Sequence, residues 1–184
     1  MKKDFKQEIE IPEGIEASLD GKMLKMKKGN DSVEKKIPIE IKIDGKNIIL
    51  EATNSGKKEK KMINTYLSHL KNMVEGLREK YEYHLQICAV HFPMNVSVDK
   101  TNSTVIIKNF LGEVKPRISK IAPNAEVKIE KDIISVSSSD KDAAGQTAAN
   151  IENATRICDR DRRIFQDGIF ITKKEKGRGL KKIR

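Results

Sequence analysis

The feature that most constrains this chain is that it repeats itself. Ile11-Pro12 recurs as Phe92-Pro93, 81 positions later. Ile39-Glu-Ile-Lys-Ile43 recurs as Ala125-Glu-Val-Lys-Ile129 at an offset of 86, and Asn47-Ile-Ile-Leu50 as Asp132-Ile-Ile-Ser135 at 85. Tyr81 to Ile87 matches Phe165 to Ile171 at an offset of 84. Offsets that stay within a few residues, in one order, imply two copies of one unit with small changes in loop length. A chain of 184 residues divided this way has halves near the size at which a single-layer core becomes marginal.

Each copy opens with strand patterns. Ile37, Ile39, Ile41 and Ile43 alternate in the first, Val96 and Val98 in the second, which places them on one face of a half-buried strand. Asp20-Gly21, Lys28-Gly29-Asn30, Asp44-Gly45 and Pro123-Asn124 are turn signals between such runs. A helix pattern follows in each half. In the first, Ile63, Tyr66, Leu67, Leu70, Met73, Val74, Leu77 and Tyr81 recur at three- and four-residue spacing. The second has a narrower stripe of Ala144, Ala148, Ile151, Thr155 and Cys158, with Asp140 as its N-cap and Asp142 at the positive end of the helix dipole. A final strand closes each unit. The expected fold is α+β: two tandem copies of a small antiparallel β-sheet packed against one α-helix, plus a basic C-terminal tail. The expected boundaries are 1–88, 89–172 and a flexible tail over 173–184.

Charge locates the function. The formal net charge is +10, with 37 Lys and Arg against 27 Asp and Glu. The last twelve residues, KKEKGRGLKKIR, hold 7 basic and 1 acidic side chain, so more than half of the excess sits there. A polyanion is the natural partner of such a segment, with a solubilising tail as the plain alternative. No apolar run approaches the ~20 residues of a membrane span, and MKKDFKQEIE has no apolar core of a signal peptide. Membrane and secreted classes are therefore not expected. Cys88 and Cys158 are too few for a disulfide framework and lack metal-ligand spacing, so two small buried thiols are expected.

Catalysis finds little support. His69, His84 and His91 have no nucleophile or carboxylate arrangement around them in sequence. Asp159 and Asp161 are two apart and point in different directions on a helix, so with Arg156, Arg160, Arg162 and Arg163 they suggest an ion-paired helix end. Nucleotide-binding loops and zinc motifs are absent, and no cofactor or metal is expected. The second helix is more informative. Gly145 inside it costs about 1 kcal/mol relative to Ala, which implies close approach, to the sheet or to an RNA strand. Gln146 offers a donor and an acceptor suited to 2′-hydroxyls and base edges. Lys115, Arg117 and Lys120, with Arg156, Arg162, Arg163 and the tail cations Lys173, Lys174, Lys176, Arg178, Lys181 and Lys182, could line one phosphate-binding side.

At these residues the chain resembles a known family. Ile9-Glu-Ile-Pro-Glu-Gly14, Asn109-Phe-Leu-Gly-Glu113, the run from Asp140 to Glu152 and Arg160-Asp-Arg-Arg-Ile-Phe-Gln-Asp-Gly-Ile-Phe-Ile171 resemble the archaeal and eukaryotic branch of the ribosomal protein L6 family. The block Phe165-Gln-Asp-Gly168 carries most of that distinction. The resemblance implies two tandem α+β domains and a non-enzymatic, cytoplasmic, ribosome-bound protein. Its implied partners are large-subunit rRNA near the sarcin–ricin region and the stalk base, neighbouring large-subunit proteins, and translation factors docking close by. It assigns RNA contact to the second domain, around Gly145, Gln146 and the nearby cations. A tandem α+β repeat also describes saddle-shaped proteins that bend DNA with apolar wedges. Here aromatic content is only 4%, and Phe110 has no wedge counterpart in the first copy.

Overall fold

The computed structural model describes residues 3–45, 47–175 and 180–182. The chain forms two compact units, Met1–Glu79 and Lys80–Arg184. Unit 1 contains β1 (Lys3–Glu10), β2 (Glu16–Asp20), β3 (Met23–Lys28), β4 (Asp31–Lys36), β5 (Glu40–Asp44), β6 (Asn47–Ser55) and α1 (Lys57–Arg78). All pairings are antiparallel, giving one sheet in the order β1-β6-β5 and a second in the order β2-β3-β4. The expected turns are where the dipeptides put them. Gly21, Gly29 and Gly45 sit at φ of +62°, +59° and +58° between successive strands, which glycine adopts at little cost. Ile37 is fully buried but lies outside any strand, because Pro38 interrupts the alternating run.

Unit 2 contains β7 (Tyr81–Cys88), β8 (Asn95–Asp99), β9 (Thr104–Lys108), a 3-10 turn (Phe110–Gly112), β10 (Arg117–Lys120), β11 (Ala125–Glu130), β12 (Ile133–Ser138), α2 (Lys141–Ala154), β13 (Gly168–Glu175) and β14 (Leu180–Lys182). Its sheets run β10-β9-β8 and β11-β12-β7-β13-β14. The order β11-β12-β7 reproduces β5-β6-β1, and β10-β9-β8 reproduces β4-β3-β2. The repeat is therefore real, but β7 is the counterpart of β1. It opens the second unit instead of closing the first, and the division falls at Glu79/Lys80, not after residue 88. Tyr81–Ile87 and Phe165–Ile171 are not equivalent strands of two copies. They are neighbours, with Ile87 opposite Ile169 and Leu85 opposite Ile171. Only Gly168–Ile171 of the second stretch is strand, while Phe165–Asp167 belongs to the loop before it.

Residues 173–175 likewise leave the expected tail. They continue β13, with Lys173 opposite His84, and β14 pairs back with Lys173 opposite Lys182 and Lys174 opposite Lys181. Lys176 and Arg178 lie outside the described residues.

Two separate cores hold the units. Unit 1 buries Leu24, Met26, Ile48, Leu50, Ile63 and Leu70 completely. Unit 2 buries Leu85, Val105, Ile107, Ile134, Ile151 and Ile169 completely, with the small Ala144 and Ala148 facing them from α2. Tyr81 belongs to this second core through β7, not to the stripe of α1. Asp140 caps α2 as expected, its carboxylate accepting the Asp142 amide at 3.0 Å. The helix ends at Ala154, so Asp159 and Asp161 are in a loop, and Asp159 has φ of +57°. Cys158 is exposed and Cys88 half-buried, which corrects the expectation of two buried thiols. Among the described residues no helix is long and apolar enough to cross a membrane.

Candidate nucleic-acid interface

Three connecting segments of unit 2 are tied together: 89–94 between β7 and β8, 109–116 between β9 and β10, and 155–167 between α2 and β13. The first tie is Asp167, whose residue is 1% exposed. Its Oδ1 accepts the Val90 amide at 2.7 Å and the His91 amide at 2.9 Å, and its Oδ2 lies 2.5 Å from His91 Nδ1. Burial pushes the Asp167 pKa up, but the hydrogen bonds from His91 and Val90 outweigh it and hold the carboxyl below its usual value. The His91 ring also stacks on Phe165, with centroids 4.9 Å apart, and the Arg160 guanidinium lies 4.8 Å from the same ring centre. Gly168 completes the block, since a Cβ there would stand 2.9 Å from the Phe170 ring. Phe165-Gln-Asp-Gly168 is thus a fastening that holds one loop to another.

The second tie is Arg117. Nε and Nη2 donate to the Glu113 carboxylate at 2.8 and 2.6 Å, a two-pronged pair. Nη1 donates to the carbonyls of Ala154 at 2.9 Å and Arg156 at 3.2 Å, just past the end of α2. The guanidinium also lies 4.2 Å from the Phe110 ring centre. Hydrogen bonding to Glu113 raises the Arg117 pKa, and the same bond lowers that of Glu113. The clamp bridges segments 109–116 and 155–167 and supports a strained turn, in which Asn109, Leu111 and Gly112 have φ of +61°, +49° and +79°. Asn109 Nδ2 donates to the Pro93 carbonyl at 3.0 Å, joining this turn to the first segment. Arg117 is thereby turned inward, and Phe110, 1% exposed beneath it, is a core residue and no wedge.

Gly145 resolves in favour of close packing on the sheet. A Cβ there would stand 3.1 Å from the Tyr83 hydroxyl of β7. Small residues at 144, 145 and 148 let α2 approach a sheet carrying two tyrosines, Tyr81 and Tyr83, whose bulk fills the gap. Gln146 is exposed, and its amide donates to Asn150 at 2.8 Å while Asn150 donates to the Lys120 carbonyl at 3.1 Å. Thr147, fully buried, accepts the Ala122 amide at 3.0 Å and donates to Ala143 at 2.8 Å. Lys115, Arg156, Arg162, Arg163 and Lys173 are all exposed. The loop clamps bring Arg156 and Lys115 into the joined segments together with Arg160, which sequence reading had treated only as an ion-pair partner. The side chains of Lys174, Lys181 and Lys182 lie outside the described set. Sequence reading also missed that Asp167 ties two loops together. The four-residue block containing Asp167 was visible, but its partner at His91 lies 76 positions away. Among the described residues no group of three or more His, Cys, Asp or Glu is placed to hold a metal ion.

The sequence family described as ribosomal protein L6 matches residues 11–80 and 92–168, about four-fifths of the chain in two segments that follow the two units. A protein of Methanococcus vannielii named large ribosomal subunit protein uL6 is 41% identical over 173 residues, which is 92% of this chain and 94% of that one. The proteins of the same name from Methanocella arvoryzae and Haloarcula marismortui are 43% and 39% identical, over 91% of this chain and 96% and 94% of theirs. The chain belongs to the ribosomal protein L6 family. Ribosomal protein L6 is a structural, non-enzymatic family. Family matching closes its second segment at Gly168, the end of the Phe165–Gly168 fastening.

Proposed function

We propose that this protein is a constituent of the large ribosomal subunit whose second unit binds large-subunit rRNA near the sarcin–ricin region and the stalk base, beside the site where translation factors dock. The observation that carries the reading is the convergence of exposed cations on the joined loops of unit 2, in a chain that belongs to the ribosomal protein L6 family. Lys115, Arg156, Arg162 and Arg163 neutralise phosphates there, and Lys173 with the cations that follow it extends the contact along the C-terminal segment. Gln146 reaches a 2′-hydroxyl or base edge, while Gly145 acts from behind by setting the helix close to the sheet. Arg117 positions Lys115 and Arg156 and leaves phosphate contact to them. Phosphate contacts fix register, and the shape of a folded RNA junction supplies selectivity.

Counterion release makes such binding fall steeply with salt, by a slope of roughly 0.7 to 0.9 per phosphate contact. Removing residues 176–184 deletes five basic side chains and is expected to weaken binding to large-subunit rRNA and flatten the dependence of log affinity on log salt. Chemical footprinting of the full-length complex is expected to protect nucleotides of the sarcin–ricin region. An unchanged salt slope removes the C-terminal segment from the interface, and protection elsewhere on the rRNA overturns the placement.

A further inference from the structure

The joined loops leave large apolar side chains in solvent among the cations. Phe92 is 48% exposed, Val90 65%, Ile164 63% and Val114 99%. Phe92 is the one aromatic ring of these four, and the backbone on both of its flanks is held. Asp167 fixes the amides of Val90 and His91 just before it, and Asn109 holds the carbonyl of Pro93 just after it. Its ring rests against Gly112, lying 3.8 Å from where a Cβ would stand, at a position whose φ of +79° favours glycine. A half-exposed aromatic ring pinned on both flanks, on top of a strained turn, is preorganised for a ligand.

We propose that this surface binds an unpaired nucleotide of RNA, its base stacked on Phe92 and its flanking phosphates held by Lys115, Arg156 and Arg160. The proposal rests on the rRNA reading above and names the chemistry of one contact within it. Charge favours RNA over a protein partner. Glu113 is engaged by Arg117 and Asp167 is buried, which leaves Asp159 and Asp161 against Lys115, Arg156, Arg160, Arg162 and Arg163 on the three segments. Here the rings and aliphatics are interleaved with guanidinium groups, the arrangement that receives splayed-out bases, which stack on aromatic and Arg planes.

The chain contains no tryptophan, so Phe92→Trp introduces a single reporter at the site. The full-length variant, titrated with deproteinised archaeal large-subunit rRNA, is expected to lose emission as a base stacks on the indole. Phe92→Leu keeps apolar bulk over Gly112 but removes the stacking face. It is expected to bind about tenfold more weakly with the same salt slope and an unchanged urea midpoint. Unchanged affinity of Phe92→Leu, or unquenched Trp emission in the complex, overturns the proposal while leaving the rRNA reading intact. Normal rRNA affinity of Phe92→Leu with loss from assembled subunits assigns the surface to a protein and overturns it too. Failure of the unsubstituted chain to bind the rRNA removes both readings together.

Discussion

The two units follow one plan and use it differently. In unit 1 a helix of 22 residues presents Ile63, Leu70, Met73 and Leu77 to the sheets, and the strands turn through short glycine hairpins. In unit 2 the helix has 14 residues and a face of Ala144, Thr147 and Ala148, and two tyrosines of β7 supply the bulk that the helix gave up. Unit 2 has instead elaborated its loops, fastening them with Asp167 and Arg117, and has widened its sheet with β13. Large helix side chains make a core with little dependence on loops. A thin helix stripe and clamped loops make a core in which the connecting segments carry part of the stability and much of the proposed contact.

That contrast can be broken by experiment. The largest effect is expected from Leu70→Ala, which empties a fully buried site and should destabilise unit 1 by about 3 kcal/mol. Because the two cores share no residue, urea unfolding followed by hydrogen exchange should show the loss in unit 1 alone, with rRNA affinity little changed. Equal loss of protection in both units would mean that they do not fold as separate cores.

Asp167→Ala comes next. It strands two backbone amides, and about 2 kcal/mol of unit 2 stability should go with them. The same carboxylate gives unit 2 a pH dependence of known sign. Its folded pKa lies below the unfolded one, so the stabilisation is present above the ordinary Asp pKa, near 4, and is lost as pH falls through the lower folded value. Asp167→Asn should lack that acid limb, and an identical acid profile for variant and unsubstituted chain would remove Asp167 from the fastening.

The smallest effect sharpens the division between contact and support. Arg117→Lys keeps the charge but cannot reproduce the two-pronged pair with Glu113 or reach both carbonyls at the end of α2. About 1 kcal/mol of unit 2 stability should be lost, with rRNA affinity reduced and its salt slope unchanged. A slope reduced by the amount of one phosphate contact would make Arg117 a ligand after all.

Much of the fold was legible in local pattern. Alternation marked β5 and β8, glycine turns marked the hairpins, and Asp140 marked the start of α2. The strand Tyr81–Cys88 was legible as a strand but not as a member of unit 2, since pairing between β7, β12 and β13 joins residues roughly 50 to 90 positions apart. For the site, the exposed cations were visible by type, but nothing local distinguishes an outward Lys115 from an inward Arg117 two residues later. Gly145 showed the need for close approach without showing that Tyr83 was the neighbour.

The sequence by itself determined the repeat, the α+β class, the family and the excess of positive charge. Each is written in composition or in patterns a few residues long, where backbone propensity and side-chain periodicity act directly. Only the tertiary structure decided where one unit ends, that Asp167 is buried and Arg117 turned toward the end of α2, and that Phe92 stands half-exposed on the tied loops. Those outcomes depend on which distant groups meet, because a carboxylate or guanidinium drawn out of water settles only where its hydrogen-bond partners converge.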